Sequence, residues 1–160
     1  MDYENGINWI PEQEIVDSFF KILSESTNLQ TIEINSLTKT TTFYKNQDIG
    51  DLRELDVKYE CPILCVKLGQ RVDDEFNNNS DELIIKTFVI IDSSISADTK
   101  ELAENYSKIF QRKIKNVLFF ENKYQGNLKI LSMKGFLVNP YKNGERFEVT
   151  WRNFIEIEYR

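Results

Sequence analysis

Apolar positions recur with a helical period in two stretches of the chain and with a strand period in three. Over 11–23, Ile15, Val16, Phe19, Phe20, Ile22 and Leu23 fall at i, i+4, i+7 and i+8, which predicts a helix with one buried stripe. Pro11 suits its first turn, where Glu12 and Glu14 face the positive end of the helix dipole. The polar run 24–28 stops it, and 29–34 alternates weakly enough for a short strand. Over 98–116, Leu102, Tyr106, Ile109, Phe110, Ile114 and Val117 predict a second helix, with Ser96 or Asp98 as its cap and Asp98 and Glu101 at capping-box spacing.

Strands are predicted at 61–68, 83–91 and 146–159. The run Leu-Ile-Ile-Lys-Thr-Phe-Val-Ile-Ile beginning at Leu83 is apolar on both faces and belongs at the centre of a sheet. The last run places Phe147, Val149, Trp151, Ile155, Ile157 and Tyr159 on one side and Glu148, Thr150, Arg152, Glu156 and Glu158 on the other. Its length predicts a bulge near Arg152 and Asn153. Two long polar stretches interrupt the pattern: 35–60 reads as a connecting excursion with short strand or helical pieces, and 69–82 as a projecting loop; Gly126, Gly135 and Gly144 mark turns in a meander of short strands. The order of elements predicts a single α+β domain over 1–160: an antiparallel sheet with two main helices packed on one face.

Composition narrows the chemistry. The 160 residues contain 20 Lys plus Arg, 26 Asp plus Glu and no His, a net charge of −6. Nucleic-acid coating draws on cationic side chains, so this balance argues against it. Without histidine the Ser-His-Asp and Cys-His nucleophile systems and His-based metal sites are excluded. No phosphate-cradling glycine loop occurs, and no apolar stretch is long enough to cross a membrane, so a cytoplasmic product is expected. Cys61 and Cys65 on one strand would stand roughly 13 Å apart, too far to bridge. They read as buried apolar thiols. No catalytic residue, cofactor or metal site is expected.

Three groups are candidates for contact. Asp73, Asp74 and Glu75, with Asp81 and Glu82, read as a solvated acidic loop that stands in water or touches a partner; carboxylates of this kind also suit a hard cation, and Asp73 and Asp74 are where a metal-dependent nuclease would place one. Lys108, Arg112 and Lys115 lie at i, i+4 and i+7 on the second helix, either as a solvated face complementing the dipole or as a grip for phosphate or an acidic neighbour. Tyr3, Trp9 and Ile10 either staple the first helix or dock on another subunit.

The helix around Ile15 to Leu23, the proline-opened strand Cys61-Pro62-Ile-Leu-Cys-Val-Lys, the strand from Leu83, the helix from Leu102 and the closing strand from Phe147 together resemble the tail terminator, or tail completion, proteins of long-tailed phages and phage-tail-like bacteriocins. The resemblance implies a structural subunit without chemistry. Copies would form a homo-oligomeric ring, usually a hexamer, on the last ring of tail-tube subunits, beside sheath and below neck or collar proteins. It would assemble in the host cytoplasm and end in the particle. The acidic stretch would then face the next ring or the lumen. Other neck or baseplate components, and an acidic cytoplasmic adaptor with a basic partner, are the alternative readings.

Overall fold

In a computed structural model of the chain, the described residues are 3–55, 61–76, 83–121, 124–125, 128–138, 141–143 and 145–159. The fold is α+β. Helix α1 (Tyr3–Ser24) leads into a short helix α2 (Thr27–Gln30) and the hairpin β1 (Thr31–Ile34) and β2 (Leu37–Thr40). Asn35 and Ser36 at the hairpin tip have φ of 54° and 70°, the backbone a two-residue turn between right-twisted strands demands. There follow β3 (Thr42–Lys45), α3 (Ile49–Glu54), β4 (Ile63–Phe76), β5 (Leu83–Ala97) and α4 (Lys100–Asn116), which runs on into a π-helical turn (Val117–Glu121). The chain ends in β6 (Tyr124–Gln125), β7 (Leu128–Leu137), β8 (Tyr141–Asn143) and β9 (Arg146–Tyr159).

The main sheet has the order β3-β4-β5-β9-β7-β6, with β8 also paired to β9. Every pairing in it is antiparallel except β3 with β4, which is parallel. As the apolar runs predict, β5 is central. Leu64 and Val66 of β4, Val89 and Ile91 of β5, Ile155 and Ile157 of β9 and Ile130 of β7 form one buried face. Helices α1 and α4 cover it with Ile15, Val16, Phe19, Phe110 and Ile114. A smaller cluster on the opposite face packs Ile49 and Leu52 of α3 against Ile63 and Cys65.

Several expectations are corrected. The stretch 69–82 is not one loop: residues 69–76 continue β4, paired with β5 through Arg71–Thr87, Asp73–Lys86, Asp74–Ile85, Glu75–Ile84 and Phe76–Leu83. The ladder hydrogen bonds of a sheet are backbone bonds, so a polar sequence can hold a strand when its neighbour is strongly strand-forming. Irregularities flank Arg71, where a Cβ on Gly69 would come within 2.7 Å of the Phe88 carbonyl oxygen. The stretch 35–60, by contrast, contains β2, β3 and α3, short strand and helical pieces as expected; its last five residues lie outside the described set.

Helix α1 begins before Pro11 and runs through it, since proline favours a first turn without being confined there. Helix α4 is capped by Thr99, whose Oγ1 accepts from the Leu102 amide at 3.2 Å, rather than by Ser96 or Asp98. Its buried face is Ala103, Ser107, Phe110 and Ile114, which turns Ile109 into solvent. The bulge expected at Arg152 and Asn153 is absent, because β9 keeps one register with β5 from Tyr159 to Phe147. The irregularity sits instead in β7, between Ile130 and Ser132, and Gly135 lies within that strand rather than at a turn. Gly126 and Gly144 lie outside the described residues.

Candidate assembly surface

The sheet face away from α1 and α4 carries the charges that fix α3. Asp92 of β5 is 0% exposed, and a charge so placed is tolerable only if paired and hydrogen-bonded. Arg152 of β9 donates to it from two nitrogens, each at 2.9 Å, and the Ile49 amide at the start of α3 donates at 3.1 Å. Asp48 caps α3, accepting from the Asp51 amide at 2.7 Å, while its own amide donates to the Asp51 carboxylate at 3.0 Å. Lys67 Nζ lies 3.2 Å from both carboxylates, and Arg152 reaches Asp48 at 3.2 Å. Arg53 pairs with the buried Glu148.

Burial alone would raise the Asp48 carboxyl, but the Asp51 amide, Lys67 and Arg152 together outweigh it and hold its pKa below the usual value. Burial likewise opposes the charge on Lys67, and the two carboxylates overcome it to raise the ammonium's pKa. Each carboxylate here already has a cation or amide, which makes the cluster a clamp for α3 rather than an open ligand site. Of the two cysteines beside it, Cys65 is buried as expected and Cys61 is half-buried. Both are free, Cys61 just ahead of β4 and Cys65 within it. Burial and then Glu148 push the Cys61 thiol up to about 12, and burial followed by Asp92 raises Cys65 further, so neither is an activated nucleophile.

Beyond α3 the same face carries an aromatic row across three strands. Phe154 of β9 meets Phe88 of β5 edge-on at 6.4 Å between ring centroids and Phe136 of β7 at 5.7 Å. The row ends at the margin of the sheet. There β7 exposes an unusual share of apolar surface: Leu131 at 36%, Phe136 and Leu137 at 47%, with Val138 just beyond it at 36%. Phe120, in the π-helical turn, is 81% exposed.

Of the sequence candidates, the structure brings together Lys108, Arg112 and Lys115. All three are exposed, and with Gln111 they line one wall of a cleft of about 300 Å³ whose other wall is Met133, Gly135 and Trp151. No described carboxylate forms an ion pair with any of the three. Behind the cleft, Gln111 is hydrogen-bonded to the buried Asn153, whose amide donates to the Ile91 carbonyl oxygen at 3.1 Å. A Cβ on Gly135 would come within 2.6 Å of Gln111 Nε2 and 2.8 Å of Asn153 Oδ1, so glycine is what lets α4 and β7 close over this pair.

Asp73, Asp74 and Glu75 lie far from that cleft in the sheet order, on β4, with backbone positions set by the register above and side chains outside the described set. Asp81 and Glu82 are outside the described residues altogether. Tyr3, Trp9 and Ile10 fall within α1, and their side chains too are outside the description. Sequence reasoning missed the β7 margin and the α3 clamp. The run Ile90-Ile91-Asp92-Ser93-Ser94-Ile95 was a usable signal for the clamp, since a carboxylate inside an apolar strand requires a cation.

Among the described residues no group of His, Cys, Asp and Glu is placed to hold a metal ion, and no helix is long and apolar enough to cross a membrane. No protein-family model matches the chain, and comparison with curated proteins finds no match.

Proposed function

We propose that the chain is a non-enzymatic assembly subunit of a phage tail or tail-like particle. Copies form a ring, hexameric in this reading, that caps the tail tube and offers a surface to neck or collar. The observation that carries the reading is the margin of the sheet at β7, where exposed apolar side chains stand beside a row of exposed cations that pair with no described carboxylate. Such a margin is a liability in an isolated monomer, and a partner's surface removes it. The five elements on which the sequence resemblance rests are formed in the expected order, which adds support. The ring acts through shape and charge and needs no cofactor. It is made in the host cytoplasm and then belongs to the particle.

Light scattering on the purified chain, with electron microscopy of the chain mixed with tail tubes, tests this. The expected result is a closed ring seated at one end of the tube. A chain that stays monomeric at high concentration and leaves tube ends bare overturns the proposal, and a one-to-one complex with a basic protein would favour the adaptor reading instead.

A further inference from the structure

We infer that copies join head to tail through their sheets, the open edge of β7 in one copy pairing with the open outer edge of β4 in the next. The inference rests on the ring reading and names the surfaces that would build the ring.

Among the described residues, both edges are unpaired over a useful length. On β7, strand β6 pairs only with Leu128 and Lys129, and no described strand continues along Leu131 to Leu137. The Val138 amide donates to the Thr150 carbonyl oxygen at 2.9 Å, toward β9. Alternation along the strand therefore aims the amides of Leu137, Gly135 and Met133 away from β9, at the open side. On β4, strand β3 covers Ile63 to Val66, and no described strand pairs with the outer side from Lys67 to Phe76.

The two edges fit in direction and in charge. β4, β5, β9 and β7 alternate in direction, so a next copy that continues the sheet presents its β4 antiparallel to β7, with the helices of both copies on one side. The open stretches are centred near Lys134, in a row with Phe154 and Ile90, and near Arg71, in a row with Thr87 and Ile157. Three pairs separate these rows, and because paired residues share a face the copies shift by an even number instead, two or four pairs or roughly 7–13 Å along the strands. A closed ring absorbs such a shift as strand tilt, as a barrel does. The edge of β7 is flanked by Lys134 and by the Lys108, Arg112 and Lys115 wall; the far end of β4, beyond Arg71, has Asp73, Asp74 and Glu75 at its strand positions. Opposite charge on two different surfaces of one chain makes a heterologous contact, which yields a ring where the rotation between copies closes, and it discourages like edges from meeting.

The test uses three variants of the full chain. Leu137→Pro removes an outward amide and no bond to β9, and should lower the association constant about tenfold or more. Asp73→Lys with Asp74→Lys, and separately Lys108→Glu with Arg112→Glu, should each lose assembly while circular dichroism shows the parent fold. An equal mixture of the two charge variants should assemble again, because every contact in an alternating ring is then complementary. Charge variants that assemble like the parent, or a mixture that stays dissociated, overturn the edge pairing while a parental ring leaves the ring reading standing. A parent chain that does not self-associate overturns both.

Discussion

The Asp92 carboxylate shows how much can rest on one partner. It is wholly buried, and three donors hold it: two nitrogens of Arg152 and the amide of Ile49. Removing one side of a buried ion pair leaves a charge that water cannot reach, at a cost of about 3 kcal/mol or more. Arg152→Ala should therefore lower the urea midpoint markedly without changing the denaturant slope, and adding Asp92→Asn should recover part of the loss because the stranded charge is gone. A double variant no more stable than Arg152→Ala would refute the account. Arg152 and its neighbour Asn153 also mark where local reading ends. Alternation on β9 placed Arg152 on its correct face, yet the strand's length predicted a bulge at it and Asn153. What keeps the ladder regular is supplied from 60 positions away by Asp92 and from 42 away by Gln111, beyond the reach of any periodicity.

Among the elements, α3 depends most on charge. It has six residues, too few to be helical alone, and only Ile49 and Leu52 are buried. Its capping box closes with Asp51, and the Asp48 and Asp51 carboxylates are tied to Lys67 on β4. The folded Asp48 carboxyl has a lowered pKa, so its contribution is full above about pH 4 and is lost as acid takes the solution down through the folded value. Lys67 is raised, so its contribution is full below about pH 10 and is lost as pH climbs through the folded value. Melting temperatures of the parent and of Asp48→Asn should differ most on the plateau between these limits, and the gap should shrink in acid. A gap that persists unchanged at pH 3 would mean that the cap, rather than the charge, sets the difference. The outer half of β4 was illegible for a related reason. Nothing in Arg71-Val-Asp-Asp-Glu75 favours a strand locally, and the backbone of β5 is what extends it. The strongly patterned β5, α4 and β9 were legible because their apolar faces meet the shared core.

The whole molecule is a sheet protected unequally. α1 and α4 cover one face, α3 covers part of the other, and no described strand pairs with the outer half of β4 or with most of β7, at opposite sides of the strand order. Composition announced only the net charge of −6, and topology sets Lys108, Arg112 and Lys115 beside β7 and Asp73, Asp74 and Glu75 on β4. An interface built this way has two components that respond differently to salt. Attraction between the acidic β4 edge and the basic α4 wall acts over distance and guides encounter, and the screening length contracts from about 10 Å at 0.1 M to about 3 Å at 1 M. Backbone bonds along the edge and the apolar cover over Leu137 and Phe136 act at contact and are little screened. Raising salt should therefore slow ring formation steeply while preformed rings dissociate at nearly the same rate, as followed by stopped-flow light scattering and by dilution. The charge-reversed mixture should show a shallower slope, since Lys115 and Glu75 keep their signs and weaken every reversed contact. An association rate indifferent to salt, or rings that fall apart on transfer to 1 M, would sink this division of labour between the two edges.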